Sequence, residues 1–130
     1  MTTTQVRNLI LWRHAEAEIL EHGQSDLARM LTGKGHKQAR QMSAWLKKYL
    51  PKKTFVLASP SMRTRETVAY WGEDWQEEIR LSPERALQPI LQLLAQSPYE
   101  SVMLVGHQPW IGELAAHCLG MEDGHQLSIK

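Results

Sequence analysis

Leu9-Ile10-Leu11-Trp12-Arg13-His14 is the stretch on which the fold of this 130-residue chain turns. Four apolar residues run without interruption and then give way to two basic ones. A short continuous apolar run fits a strand covered on both faces, the situation of strands in a parallel sheet. The same event occurs twice more. Thr54-Phe55-Val56-Leu57-Ala58 leads into Ser59-Pro60-Ser61-Met62-Arg63, and Ser101-Val102-Met103-Leu104-Val105 leads into Gly106-His107. Each apolar run therefore ends in a basic or hydroxyl-rich exit.

Helical patterns separate the runs. From Thr32 to Leu50, the residues Ala39, Met42, Trp45, Leu46, Tyr49 and Leu50 recur at three- and four-residue steps, with Thr32 as the cap and Pro51 as the stop. Ser59-Pro60 opens a second helix, with Pro60 near its first turn, running to Tyr70 or Trp71. Pro89 starts a short third helix. Pro109 opens a fourth, which is expected to bury Ile111, Leu114, Ala115, Cys118 and Leu119 and to end at Gly120. Residues 15–31 read as a long loop, a length that often signals function, and residues 72–85 as charged and irregular. Strands alternating with helices predict an α/β fold of three layers, α/β/α, with a mainly parallel central sheet. In such sheets ligands bind beyond the carboxyl ends of the strands, where all three exits fall.

The bulk numbers set limits. A chain of this length, 42% apolar and 22% charged, reads as one domain spanning residues 1–130. Its net charge of +1 offers no general attraction to nucleic acid or to an anionic membrane, so neither is an expected partner. Cys118 is the one cysteine and has no partner for a disulfide or a thiolate metal site. With no apolar stretch long enough for a signal peptide or a membrane span, the expected location is the cytoplasm.

The exits share one chemistry. A phosphoryl group carries about two negative charges near neutral pH, and the planar guanidinium fork of arginine matches it. Arg13 and Arg63 supply two forks. His14 is the candidate nucleophile, attacking phosphorus through a neutral ring nitrogen while the other nitrogen holds a proton against an acceptor. The nearby arginines disfavour its imidazolium form. His107 is the candidate donor to the phosphoryl oxygens. Asp26 and Glu84 are the candidate acids for the leaving group, ahead of Glu16 and Glu18. No cofactor is needed, and the six histidines show no metal-ligand spacing.

These segments resemble the histidine phosphatase superfamily, which has the phosphoglycerate mutase-like fold. Arg13-His14-Ala15 stands where that family has Arg-His-Gly, and the alanine is expected to tighten the turn. The family's Ser-Pro-x-x-Arg-x-x-x-Thr pattern is met by Ser59-Pro60-Ser61-Met62-Arg63-Thr64-Arg65-Glu66-Thr67. Val105-Gly106-His107-Gln108-Pro109 carries the second histidine. Leu31-Thr32-Gly33-Lys34-Gly35 followed by Gln38-Ala39 also matches, so the resemblance covers nearly the whole chain. It implies a phosphorylated His14 in a pocket completed by Arg13, Arg63 and His107. The shortness of the chain and the Ser25-Asp26-Leu27-Ala28-Arg29-Met30-Leu31-Thr32 stretch resemble the branch of SixA-type phosphohistidine phosphatases. That branch implies an unlidded site and a phosphorylated protein as substrate, such as a histidine phosphotransfer domain. Two alternatives are a small phosphoester as substrate and a phosphate-binding module without catalysis. The sequence stops at Leu127-Ser128-Ile129-Lys130, at what reads as the start of a strand, so the chain is expected to be cut short with a sheet edge exposed.

Other conspicuous residues have plainer readings. Trp12 and Trp45 are expected in the core, and Trp110 in the core or on a substrate surface. Arg40, Arg65 and Glu66 are expected to be solvated helix-face charges. His22, His36, His117 and His125 are expected at the surface. Arg29 is a lesser candidate for the phosphate rim.

Overall fold

A computed structural model of the chain describes residues 5–120. The strand start read at residues 127–130, and His125, lie outside the described residues. Strands β1 (Asn8–Arg13), β2 (Thr54–Ala58), β3 (Gln76–Glu77) and β4 (Ser101–Gly106) form one sheet in the order β1-β4-β2-β3. All neighbouring strands are parallel. Helices α1 (Gly33–Tyr49) and α2 (Met62–Val68) cover one face, and α3 (Leu87–Ala95) and α4 (Trp110–Cys118) the other. The expected three-layer α/β/α arrangement is the one observed.

The central strand explains why the layers hold. Every residue of β4 is buried. Val102 and Leu104 pack with Ile90, Trp110 and Leu114 from α3 and α4, while Met103 and Val105 pack with Leu46 and Val68 from α1 and α2. Each such side chain contributes about 1.5–3 kcal/mol relative to an exposed one. The unbroken apolar run is the sequence signature of this two-sided burial.

Register then places the exits. Arg13 pairs with Gly106, and both Trp12 and Ala58 lie opposite Val105. The backbone pairing continues one residue beyond the strands, with the His14 N–H donating to the Gly106 carbonyl (3.1 Å) and the Ser59 N–H to the Val105 carbonyl (3.0 Å). Three strands thus finish at one level, and their exits lie side by side. Gly106 has a packing reason to be glycine, since a Cβ there would collide with the indole of the fully buried Trp110.

Several expectations are corrected. Trp45 is 56% exposed, as are, to similar degrees, Met42 and Tyr49, because the buried stripe of α1 is Gly35, Ala39, Ser43 and Leu46. Small residues line this stripe because the helix lies close to its neighbours; a Cβ at Gly35 would collide with the Glu16 carbonyl. Cys118 and Leu119 are exposed, since the inner face of α4 is set by Trp110, Ile111 and Leu114. Pro60 lies next to the first turn of α2, just before the Ser61 cap, as expected, while α2 ends at Val68, short of Tyr70. α3 begins at Leu87, with Pro89 in a first turn that has no use for its N–H. The stretch 72–85 contains β3 and a 3-10 turn, Ile79–Leu81, whose Leu81 is fully buried and accepts from the Trp110 indole N–H (3.1 Å). Trp110 is therefore core.

Candidate active site

His14 leaves β1 with its ring already committed. Nδ1 lies 2.7 Å from the Ala15 carbonyl. A carbonyl only accepts, so Nδ1 carries the proton and Nε2 is left as the bare nitrogen. Ala15 is itself fixed by its N–H, which donates to Thr67 Oγ1 of α2 (3.0 Å), and it does not have a positive φ. The backbone of this turn therefore does not require the glycine of the family pattern.

Arg63 rises from the first turn of α2 and is 4% exposed. Its Nη1 donates to the Asp26 carbonyl (2.8 Å) and its Nη2 to the Asp26 carboxylate (3.1 Å), while the buried Nε has no partner. Arg29 donates from Nη1 to the other carboxylate oxygen of Asp26 (3.2 Å) and from Nε to the Glu18 carbonyl (2.8 Å). Asp26 therefore lies between two guanidiniums and draws the long loop over the pocket.

His107 follows β4 and is 2% exposed. Its ring centroid is 5.2 Å from that of His14. Nε2 contacts Ser59 Oγ (2.8 Å) and Ser61 Oγ (3.3 Å), and the buried Nδ1 has no protein partner. Arg13, exposed at the end of β1, joins His14, Arg63, His107, Asp26, Arg29 and Glu84 around one cavity of about 750 Å³. All six residues singled out from the sequence border this space. Glu84 stands on its rim with a left-handed backbone (φ 60°), a conformation that costs a non-glycine residue of order 1–3 kcal/mol and clusters at functional sites. Among the described residues no group of three or more His, Cys, Asp or Glu side chains is placed to hold a metal ion, and no helix is long and apolar enough to cross a membrane.

The field in the cavity favours neutral imidazoles. Burial lowers the His14 pKa from 6.5 to about 4; the Ala15 hydrogen bond opposes this, and Arg63, Arg13 and Arg29 reinforce it. Burial, then Arg63 and His14, lower His107 to about 3. The sequence reading named the arginines as the cause for His14, yet desolvation is the larger one. For Asp26, burial pushes the carboxyl up, but the hydrogen bonds from Arg29 and Arg63 outweigh it and hold the group below the usual range. The empty pocket thus holds an ionised Asp26.

Sequence reasoning missed several contributors. Ser59, Ser61 and Thr64 are fully buried hydroxyls behind His107. Their signal is the Ser-Pro-Ser-Met-Arg-Thr order directly after a buried strand, in which the sequence assigns a site role to the arginine and none to the hydroxyls. Glu66 is not a free surface charge: it accepts the Leu31 N–H (2.7 Å) and pairs with His36, whose Nδ1 meets the Tyr70 hydroxyl (2.8 Å). Arg65 pairs with Glu77.

Known proteins match this arrangement. A phosphohistidine phosphatase SixA homolog of Haemophilus influenzae is 30% identical over 87% of this chain and 77% of its own length. A protein of Agrobacterium tumefaciens assigned as a phosphohistidine phosphatase SixA superposes with a TM-score of 0.78 at 28% identity, over 88% of this chain and 78% of that one. The protein histidine phosphatase SixA complexed with tungstate does so with a TM-score of 0.76 at 26% identity, over 93% and 80%. The fold is thus phosphoglycerate mutase-like. The sequence profile of the histidine phosphatase superfamily (branch 1) matches residues 9–86, the segment that carries Arg13, His14, Asp26, Arg63 and Glu84. With more than half of the chain so matched, it belongs to the histidine phosphatase superfamily.

Proposed function

We propose that this chain hydrolyses phosphohistidine on a protein, through a covalent phosphoryl group on His14. The observation that carries the chemistry is the His14 ring, protonated at Nδ1 and neutral, beside a buried arginine in an arginine-lined cavity. The phosphoryl group would displace the Asp26 carboxylate from Arg63 and take its place, held by Arg13, Arg63 and His107. His14 Nε2 would attack phosphorus in line as the bond to the leaving imidazole breaks. That imidazole leaves as a good leaving group once it gains a proton. Asp26, freed from its arginines and next to a dianion, takes up a proton from solvent as its pKa rises and passes it to the leaving nitrogen; Glu84 is the alternative acid across the rim. Water then attacks the phosphorylated His14 and releases inorganic phosphate. Positioning and charge stabilisation supply most of the catalysis in such transfers.

The mouth of the pocket supports a protein-borne substrate. Leu20, Leu27 and Ile79 line it and are 47%, 49% and 64% exposed. An apolar rim around a charged floor suits a folded surface that brings its phosphoryl group with it, such as a histidine phosphotransfer domain, and the related tungstate complex holds a tetrahedral oxyanion. A small phosphoester would leave this rim bare. The cytoplasm is the compartment this reading assigns.

Two assays test it. A phosphohistidine protein carrying a labelled phosphoryl group should be dephosphorylated with an acid-labile label trapped on the wild type and none on His14→Ala. Faster turnover of a small-ester panel than of the phosphoprotein would move the substrate to the ester. Phosphate binding with no turnover of either would reduce the chain to a binding module.

A further inference from the structure

Nε2 of His107 meets a chain of hydroxyls whose protons can be counted. Thr64 Oγ1 lies 2.8 Å from the Ser59 carbonyl and 2.9 Å from the Ser61 carbonyl. Carbonyls only accept, so the single Thr64 proton is used there. The 2.6 Å contact between Thr64 Oγ1 and Ser61 Oγ must then be made with the Ser61 proton. Ser61 Oγ has nothing left to donate. Ser59 Oγ receives the Ser61 N–H (3.3 Å) and keeps its own proton, for which two acceptors are in reach: His107 Nε2 at 2.8 Å and Ser61 Oγ at 3.4 Å. The 2.8 Å contact can be filled from either side, by the Ser59 proton on a bare Nε2 or by Nε2–H on Ser59 Oγ with the Ser59 proton passed to Ser61. A phosphoryl oxygen at Nδ1, which needs a donor there, selects the first. Ser59, Ser61 and Thr64 are fully buried, so no water competes for these protons.

We propose that Ser59 is a positioning residue that sets the tautomer of His107: its hydroxyl donates to Nε2, which puts the only proton of the neutral ring on Nδ1. Nδ1 is the buried nitrogen with no protein partner. A neutral Nδ1–H is a donor ready for a phosphoryl oxygen, whereas the opposite tautomer would aim a lone pair at an anion. The two histidines of the site then carry their protons on the same ring position for opposite ends. In His14 a carbonyl holds Nδ1–H and frees Nε2 to attack, and in His107 a hydroxyl caps Nε2 and frees Nδ1–H to donate. The assignment rests on His107 facing a phosphoryl group.

The test reads the ring directly. In the full chain labelled with ¹⁵N-histidine, long-range ¹H–¹⁵N correlation distinguishes a protonated ring nitrogen from a bare one. His107, identified by its loss in His107→Gln, should show Nδ1–H in the wild type. Ser59→Ala should shift the ring toward Nε2–H. The same variant should lower kcat by about tenfold, less than the roughly 100- to 1000-fold lost with a whole oxyanion donor. Ser59→Thr, which keeps a hydroxyl, should restore both readouts. Nε2–H in the wild type overturns the assignment, and does so even if every Ser59 variant fails to fold. An unchanged tautomer and kcat in folded Ser59→Ala overturn it as well. Titration with inorganic phosphate separates this from the underlying reading. Phosphate that shifts His107 while the ring is Nε2–H sinks the Ser59 role alone, and a His107 signal indifferent to phosphate sinks the phosphoryl pocket and the role together.

Discussion

The floor of the pocket and its outer wall are built in opposite ways. The floor is made of strand ends and the first turn of α2: His107, Ser59, Ser61 and Arg63 are buried, and the backbone ladder between β1, β4 and β2 holds their level. The wall is the 15–31 loop, which carries exposed Ile19, Leu20 and Leu27. It is held to its surroundings mostly by single bonds: the Ala15 N–H on Thr67, the Glu16 N–H on Gln38, the Glu16 carbonyl on the Thr32 N–H, the Leu31 N–H on Glu66, and Asp26 on Arg63. A phosphoryl group needs the same cradle in every turnover, so its cradle is rigid. The molecule that carries it would meet the exposed part of the loop, where Ile19, Leu20 and Leu27 can be substituted without disturbing the core. On the proposed reading the floor serves the chemistry together with Asp26, and the apolar rim serves selectivity.

The contrast can be broken from the floor with the largest effect. Arg63→Ala should lower kcat by about 100- to 1000-fold, as loss of a buried donor to a transition-state anion does, and steady-state kinetics will show it; a loss under tenfold would remove Arg63 from the cradle. Next is the acid limb of kcat/KM. The reactive form of His14 is neutral and its pKa lies at about 4, so activity should persist as the pH falls through 6.5 and drop only near 4. At pH 5 this is a difference of roughly thirtyfold in the neutral fraction compared with an ordinary histidine. A limb near 6.5 would deny the burial of the ring. Stability follows the same sign. Both histidines bind fewer protons folded than unfolded, so their contribution is complete above 6.5 and is lost as the pH falls toward 4 and 3.

Gly106→Ala comes third. It forces a methyl into Trp110 and should destabilise the protein by about 1–3 kcal/mol in urea unfolding, since the neighbour is a buried ring with no free side. The wall gives smaller effects. Ile79→Asp should raise KM for a phosphoprotein by roughly fivefold, the scale of one contact residue, with a lesser change for a small ester; equal changes for both would deny the rim a docking role. Asp26→Asn removes the anion that competes for Arg63 and should tighten inorganic phosphate binding by up to about fivefold, in keeping with a half-exposed ion pair, as calorimetry can measure. Weaker phosphate binding in that variant would show that Asp26 organises the arginines instead of occupying them.

What could be read from the sequence divides along the same line. The three long strands were legible because two-sided burial writes itself as an unbroken apolar run, and their exits followed from parallel topology. β3 was not, because Gln76 and Glu77 pair through backbone while their side chains stay exposed, so no pattern records them. Trp45 was misread because period alone cannot tell a stripe of large residues from the adjoining stripe of small ones that a close approach demands. The arginines and histidines of the pocket stood out as motifs. The hydroxyls behind His107 did not, since a serine after a strand is ordinary until its burial is known. Asp26 was findable only as a carboxylate in a long loop; its grip on Arg63 depends on a contact across 37 positions of sequence.

Gly35 stands outside the cavity, yet it bears on the segment that follows His14. The start of α1 rests against the Glu16 main chain with room for a hydrogen and nothing larger. Glu16 is two residues past His14, and its carbonyl also receives the Thr32 N–H (3.0 Å). A side chain at position 35 would press on the main chain two residues beyond His14. The seat of α1 thus backs the strand exit that carries this imidazole, and a drop in turnover without loss of fold is the outcome expected of Gly35→Ala.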